Sequence, residues 1–344
     1  MKFASDNGSG VALEIMSALG VANEGAAPGY GADEFTQEAC ERLSEIFERD
    51  VSAFLVATGT AANALNLAAI TQPHGAVFVH ERAHVHTDEC GAPEFYMHGA
   101  KLLPLGGEHG KLTPAAIEQG LEGFTQGIVH HPQAQAISLS QVTESGTVYS
   151  VAEIEALSAL AKKHSLRVHM DGARFANALV SLGCSPAEMT WKAGVDVLSF
   201  GATKNGAMGV EAVIVFDEAL STNLPFMRKR AGQLLSKGRF LGAQMSAYLK
   251  DDLWLGMAAH ANEMAGHLAA GIDKLPGARL RHPVQANQVF AVLPKPAHKA
   301  LLAAGAAYYP WEREPDGIAV RLVTSFSTSA EEVEQFLSIA GGAR

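Results

Sequence analysis

Cysteine is scarce in this sequence. Its three residues, Cys40, Cys90 and Cys184, are odd in number, widely scattered and form no C-x-x-C pair. That argues against a disulfide framework and against a zinc knuckle, and leaves reduced thiols. Basic character is also in short supply. Lys and Arg number 26 against 36 Asp and Glu, for a net charge of −10, and the only local basic run is the "MRKR" at Met227–Arg230. Nucleic acid and anionic membrane are therefore poor partners, and a small-molecule substrate fits better. No uninterrupted apolar stretch reaches the roughly eighteen residues of a membrane span. The amino-terminal "MKFASDNGSG" holds no apolar leader core, so the expected location is cytoplasmic. Internal repeats and low-complexity linkers are missing as well.

What is present reads as an ordinary globular chain, with 48% hydrophobic and 18% charged residues. Its 344 residues suit a large domain plus a smaller one. Short β-branched or apolar runs alternate with longer alanine-rich or amphipathic segments. The runs lie at 51–58, 75–80, 134–141, 166–171, 195–200 and 211–217. Strand, helix, strand repetition predicts an α/β fold with a mainly parallel sheet covered by helices. Thr113-Pro114 marks a helix start, and Ser150 with Glu153 forms a capping box opening a helix to about Lys163. Ser329 with Glu332 does the same for the last helix. After Lys250 the pattern changes to a long alanine-rich helix over about 253–275, then "ARLRH", "QVFAVLP", a helix near 297–304, "AAYYPW" and "IAVRLVT". The expected division is a large domain over 1–250 and a small α+β domain over 251–344, which the amino-terminal residues are free to join.

In open α/β sheets ligands sit at the carboxyl ends of the strands, so polar residues just after each strand are the candidates. In "ATGTAANA", Thr58, Gly59 and Thr60 stand between a strand and a helix. Free N–H groups there can cradle a phosphate, although Gly-Thr is also an ordinary helix cap. In "HERAHVHTDECGAPE", His84 and His86 form an H-x-H pair near Asp88 and Glu89. No second ligand cluster supports a metal there, and His84 reads better as a flat ring or a base. Asp171 closes an apolar strand in "HMDGARFANA" with Arg174 one turn on, a pattern that also suits a simple cap. Lys204 follows the strand "VDVLSF" at once, where an unpartnered lysine is unusual. One strand–helix–strand unit, about 30 residues, separates Asp171 from Lys204, so both emerge at one sheet edge. A lysine of lowered pKa, a fixed carboxylate and a phosphate cradle are what pyridoxal 5'-phosphate requires: an imine to the lysine, a partner for the ring nitrogen and a seat for the phosphate.

The segments "FASDNGSG", "YGADEFTQ", "TGTAANAL", "RAHVHTDECGA", "HMDGARFANA", "SFGATKNGA" and "VRLVTSFS" resemble the low-specificity L-threonine aldolase family. That family is related to the beta-eliminating lyases within the fold type I superfamily of pyridoxal phosphate enzymes. The resemblance covers essentially the whole chain and is nearest to bacterial L-threonine and L-phenylserine aldolases. It implies a seven-stranded, mostly parallel sheet in the large domain, and retro-aldol cleavage of L-threonine, L-allo-threonine or L-phenylserine to glycine and an aldehyde. By the same resemblance Lys204 is the cofactor lysine, Asp171 the partner of the pyridine nitrogen, and Gly59 and Thr60 the phosphate pair. Arg174 would contact the phenolic side of the cofactor or the substrate carboxylate. His84 stacks on the ring and moves protons, with Glu89 as its acidic companion. Ser5 and Arg321 hold the substrate carboxylate. Lys237 and Arg239 correspond to basic residues reaching a neighbouring subunit's phosphate. The family implies a homotetramer, a dimer of dimers with shared active sites. Many relatives place a histidine after the threonine of "SQVTESGTVY", where this chain has Glu144. Glu144 thereby joins His84 and water as candidate base for the β-hydroxyl.

The cofactor residues alone serve several reactions. A β-eliminating lyase, a racemase or an aminotransferase would use the same Lys204, Asp171 and Arg174. A non-catalytic binding protein retaining the fold, and a metal hydrolase built on His84 and His86, are the remaining readings.

Overall fold

The computed structural model describes residues 1–343. Seven strands form the large sheet: β1 (Ser52–Val56), β2 (Gly75–His80), β3 (Lys101–Leu105), β4 (Gln133–Ser140), β5 (Arg167–Gly172), β6 (Val197–Gly201) and β7 (Glu211–Val215). Their order is β1-β7-β6-β5-β4-β2-β3. The pairs β2–β3, β2–β4, β4–β5 and β5–β6 are parallel, whereas β7 runs against both β6 and β1. The runs read from the sequence fall on six of these strands.

Burial on both faces explains why those runs lack polar alternation. In β2, Val77 and Val79 enter the apolar cluster on one face and Phe78 the cluster on the other. In β7, Val213 and Val215 face the first of these and Ala212 and Ile214 the second. The larger cluster is braced by aromatic rings, with Phe47 5.2 Å from Phe216 and Phe200 5.6 Å from Trp254. β3 escaped the sequence reading. It sits at the sheet edge and carries Pro104, a residue that cannot donate to a central ladder and is tolerated at an edge.

The helices start where their caps say they should. Both partners of the capping box are bonded at Ser150–Glu153 and at Ser329–Glu332, and the Thr113 hydroxyl accepts the N–H of Ala116. A further box, Ser185–Glu188, opens the short helix Pro186–Met189.

A second sheet of β8 (Arg279–Leu280), β9 (Gln288–Leu293), β10 (Tyr309–Glu314) and β11 (Gly317–Val323) runs in the order β10-β11-β9-β8. It packs on the long helix Leu253–Ile272 and the last helix Ala330–Gly342 through Leu268, Val289, Leu293 and Phe336. Phe3 belongs to that cluster, with its ring 5.4 Å from Phe336, and Lys2 forms a β-bridge to Ala307. Among the described residues no helix is long and apolar enough to cross a membrane.

Candidate active site

Six of the seven large-sheet strands point the same way, so their carboxyl ends share one edge. A cavity of about 560 Å³ opens there. It is lined by Ser5, Gly59, Thr60, His84, Glu89, Glu144, Asp171, Arg174, Lys204 and Arg321, which the fold collects from widely separated parts of the chain. Lys237 and Arg239 lie elsewhere. Lys237 is exposed, and Arg239 donates to the backbone carbonyl of Gly25 at 3.2 Å while stacking over Phe240.

β6 ends at Gly201 and the tight turn Thr203–Asn205 follows, carrying Lys204 into the cavity. Among the described residues its amine has no hydrogen-bond or ion-pair partner. Burial pushes its pKa down, Arg174 pushes it further the same way, and the carboxylates of Asp6, Asp171 and Glu211 oppose both. One strand over, Asp171 is buried at the end of β5. Its Oδ1 accepts the N–H of Ala173 at 3.0 Å and its Oδ2 an Asn63 amide hydrogen at 2.9 Å.

Asn63 links two carboxylates, because its amide also donates to Glu89 Oε1 at 2.7 Å. That same oxygen stands 2.8 Å from His84 Nδ1. A carboxylate can only accept, so Nδ1 carries the proton and Nε2 is left as the basic atom of the ring. The bond to Glu89 raises the pKa of His84, against burial. His86 is exposed, and no group of three His, Cys, Asp or Glu able to hold a metal occurs among the described residues. Glu144 holds the backbone of this turn: its Oε1 accepts the N–H of His84 at 2.8 Å and the Ser140 hydroxyl at 2.7 Å, while Oε2 is buried without a partner. Burial raises the Glu144 pKa.

The helix Gly59–Ile70 begins at the cavity. The Thr58 hydroxyl takes the N–H of Ala61 at 3.1 Å, leaving the first N–H groups, those of Gly59 and Thr60, without intrahelical partners. A Cβ on Gly59 would stand in open space, so the entrance to this N-terminus is clear for a ligand. Arg321 also lines the cavity, with its guanidinium carbon 5.4 Å from the ring centre of Tyr309 and 5.6 Å from that of Trp311. It donates to the Ala4 carbonyl at 3.3 Å, and its buried Nε has no partner. Arg174 is engaged at two points by buried Asp6, at 2.7 and 3.0 Å, and Asn287 donates to the same carboxylate at 3.0 Å.

Sequence reasoning missed Asp6, Asn63, Glu211 and Asn287. Asn63 had left a trace: Asn63 and Asn66 sit three apart in an otherwise Ala- and Leu-rich helix, on the face that also carries Gly59. Glu211 had left one too, as the acidic residue opening the apolar run "EAVIVFD".

The residues present suit pyridoxal phosphate: a half-buried lysine with no partner among the described residues, a fixed carboxylate one strand away, and a helix N-terminus with clear space before it. The comparisons agree. Residues 2–295 match the beta-eliminating lyase family. The chain is 46% identical to a low specificity L-threonine aldolase of Pseudomonas aeruginosa, over 97% of this chain and 95% of that one. It superposes on a threonine aldolase of Leishmania major with a TM-score of 0.93 at 32% identity, covering 98% of each chain. A serine palmitoyltransferase of Sphingomonas wittichii shares the fold, with a TM-score of 0.72 at 15% identity over 99% of this chain and 86% of that one.

Proposed function

This chain belongs to the beta-eliminating lyase family, and on that premise we propose that it is an aldehyde-lyase splitting L-β-hydroxy-α-amino acids such as L-threonine, L-allo-threonine and L-phenylserine into glycine and an aldehyde. The observation that carries the proposal is the single cavity in which Lys204, Asp171, the Gly59 helix start, His84 and Arg321 all meet.

Pyridoxal phosphate, when bound, supplies an electron sink conjugated to the substrate's α-carbon. Lys204 would be its covalent anchor, and desolvation of the amine lowers its proton affinity, which favours the nucleophilic form. Asp171, held by Asn63 and Ala173, would be the carboxylate partner of the ring nitrogen. The free N–H groups of Gly59 and Thr60 and the dipole of their helix receive the phosphate. Arg321, its guanidinium over the rings of Tyr309 and Trp311, grips the substrate carboxylate together with Ser5. His84 removes the β-hydroxyl proton at Nε2, while Glu89 holds Nδ1 and stabilises the imidazolium that forms. Glu144 steadies the His84 backbone. Arg174, tied to Asp6, lines the cavity as a fixed positive charge.

Assembly into a homo-oligomer with shared sites is part of the same proposal. It is supported by the strongly exposed apolar side chains of Leu13, Phe95 and Phe226 and by the placement of Lys237 and Arg239 away from their own cavity.

The test is aldehyde release by purified protein from L-phenylserine and from L-threonine, with and without added pyridoxal phosphate. Cofactor-dependent benzaldehyde or acetaldehyde is expected. A keto acid in place of aldehyde would move the reaction to elimination or transamination, and inversion of the amino acid without cleavage would make it a racemase.

A further inference from the structure

β7 opens on a carboxylate that the proposed reaction does not use. Glu211 is 7% exposed, and it pairs in register with Gly201 of β6 and Val56 of β1. Because β7 runs against its neighbours, its first residue stands at the edge where theirs end, and Glu211 lines the same cavity as Lys204. Its carboxylate is engaged by the turn that delivers the lysine. The N–H of Ala202 donates to Oε2 at 2.8 Å, while the hydroxyl of Thr203 donates to the Val210 carbonyl at 3.4 Å. Thr203 Oγ1 in turn accepts the N–H of Val210 at 3.2 Å, closing the loop between β6 and β7. All of these contacts fall on the two residues immediately before Lys204.

We infer that Glu211 is a positioning residue for Lys204, clamping the turn from which the lysine projects and supplying the negative charge that retains the proton on its nitrogen. The charged and titratable groups facing Lys204 include Arg174, Asp6, Asp171, Glu211 and His84. Asp6 is matched by its two-point pair with Arg174, and Asp171 is bound by Asn63 and Ala173 and serves the cofactor ring under the proposed function. Among the described residues Glu211 has no ion-pair partner, and Lys204 is a charge that acts on it, opposing the effect of burial. Burial raises its pKa to about 7. Its charge is therefore in place above neutrality, and removing that charge lowers the proton affinity of the Lys204 nitrogen.

The inference rests on Lys204 being the cofactor lysine, and the experiment separates the two ideas. Holoenzyme carrying Glu211→Gln keeps an acceptor for the Ala202 N–H but loses the charge. The near-visible absorbance of the bound cofactor, followed between about pH 5 and pH 10, reports protonation of the nitrogen that joins it to Lys204. The midpoint should fall by about one pH unit relative to wild type. An unmoved midpoint in Glu211→Gln overturns the inference. Glu211→Asp, which keeps the charge, should stay nearer the wild-type midpoint; a fall as large as that expected for Glu211→Gln overturns the inference even if the Gln variant does not load. Borohydride reduction of the wild-type holoenzyme with peptide mapping is run beside these. A cofactor label missing from Lys204 defeats the functional proposal itself, whereas a label on Lys204 with an unmoved midpoint defeats only the role of Glu211.

Discussion

A single shared oxygen, Glu89 Oε1, decides what His84 can do. It accepts from His84 Nδ1 and from Asn63, so the imidazole is held in one tautomer and Nε2 is left basic. The same bond raises the His84 pKa. The base is active only when His84 is neutral, so the acid limb of kcat/KM should lie above the ordinary histidine range of about 6.5. In Glu89→Gln the stabilisation of the charged ring is lost, the His84 pKa falls, and that limb should move to lower pH. The plateau should drop roughly 10²-fold, since the imidazolium formed in the reaction has lost its partner. An acid limb that stays where it was would remove His84 from the role of base. Lys204→Ala should lose covalent capture of the cofactor, seen by borohydride reduction and mass spectrometry, and lower turnover by at least about 10³-fold.

At the scale of elements, the sequence spoke clearly wherever local rules decide the outcome. The Ser150–Glu153 box is bonded as its pattern indicates. Ser150→Ala should cost about 1 kcal/mol in urea unfolding. Aldehyde release should stay intact, because that helix does not line the cavity. The reversal of β7 was not legible. Strand pairing is a tertiary choice, and a buried apolar run looks the same in either direction. That blind spot hid Glu211, since residues were sought only after strands and an antiparallel strand delivers its first residue to the site edge. Burial also hid the work of Asn63: local sequence shows a polar residue on an apolar helix but not the two carboxylates it bridges.

For the whole molecule, Asp6 is the joint. Its carboxylate takes both Arg174, just past β5 of the large sheet, and Asn287, just before β9 of the small one. Asn287 also donates to the Thr324 carbonyl at 2.8 Å, beyond β11. Burial alone would raise the pKa of Asp6, but Arg174, Lys204 and Asn287 together hold it below the ordinary carboxylate range. A depressed folded-state pKa means stability that is present above the unfolded value of about 3.9 and is lost as pH falls through the folded value. Acid unfolding should therefore steepen below about pH 4, and Asp6→Ala should flatten that dependence when denaturation midpoints are measured against pH. At neutral pH the same variant should lose about 3–5 kcal/mol, because Arg174 is left buried without its counter-charge. A midpoint unchanged from wild type would show that the joint is held by other contacts.

By itself the amino-acid sequence determined the class of fold, the helix starts and the family, because apolar periodicity, capping chemistry and strand-end motifs are properties of a few neighbouring residues. It also marked Asp171 and Lys204 as residues of one sheet edge, since a single crossover unit separates them. Only the tertiary structure decided which groups touch: that Asn63 joins Glu89 to Asp171, that Asp6 claims Arg174, and that Glu211 clamps the turn of Lys204. Those contacts depend on strand direction and on burial. Both arise when distant segments pack together, and neither is encoded within reach of a local pattern.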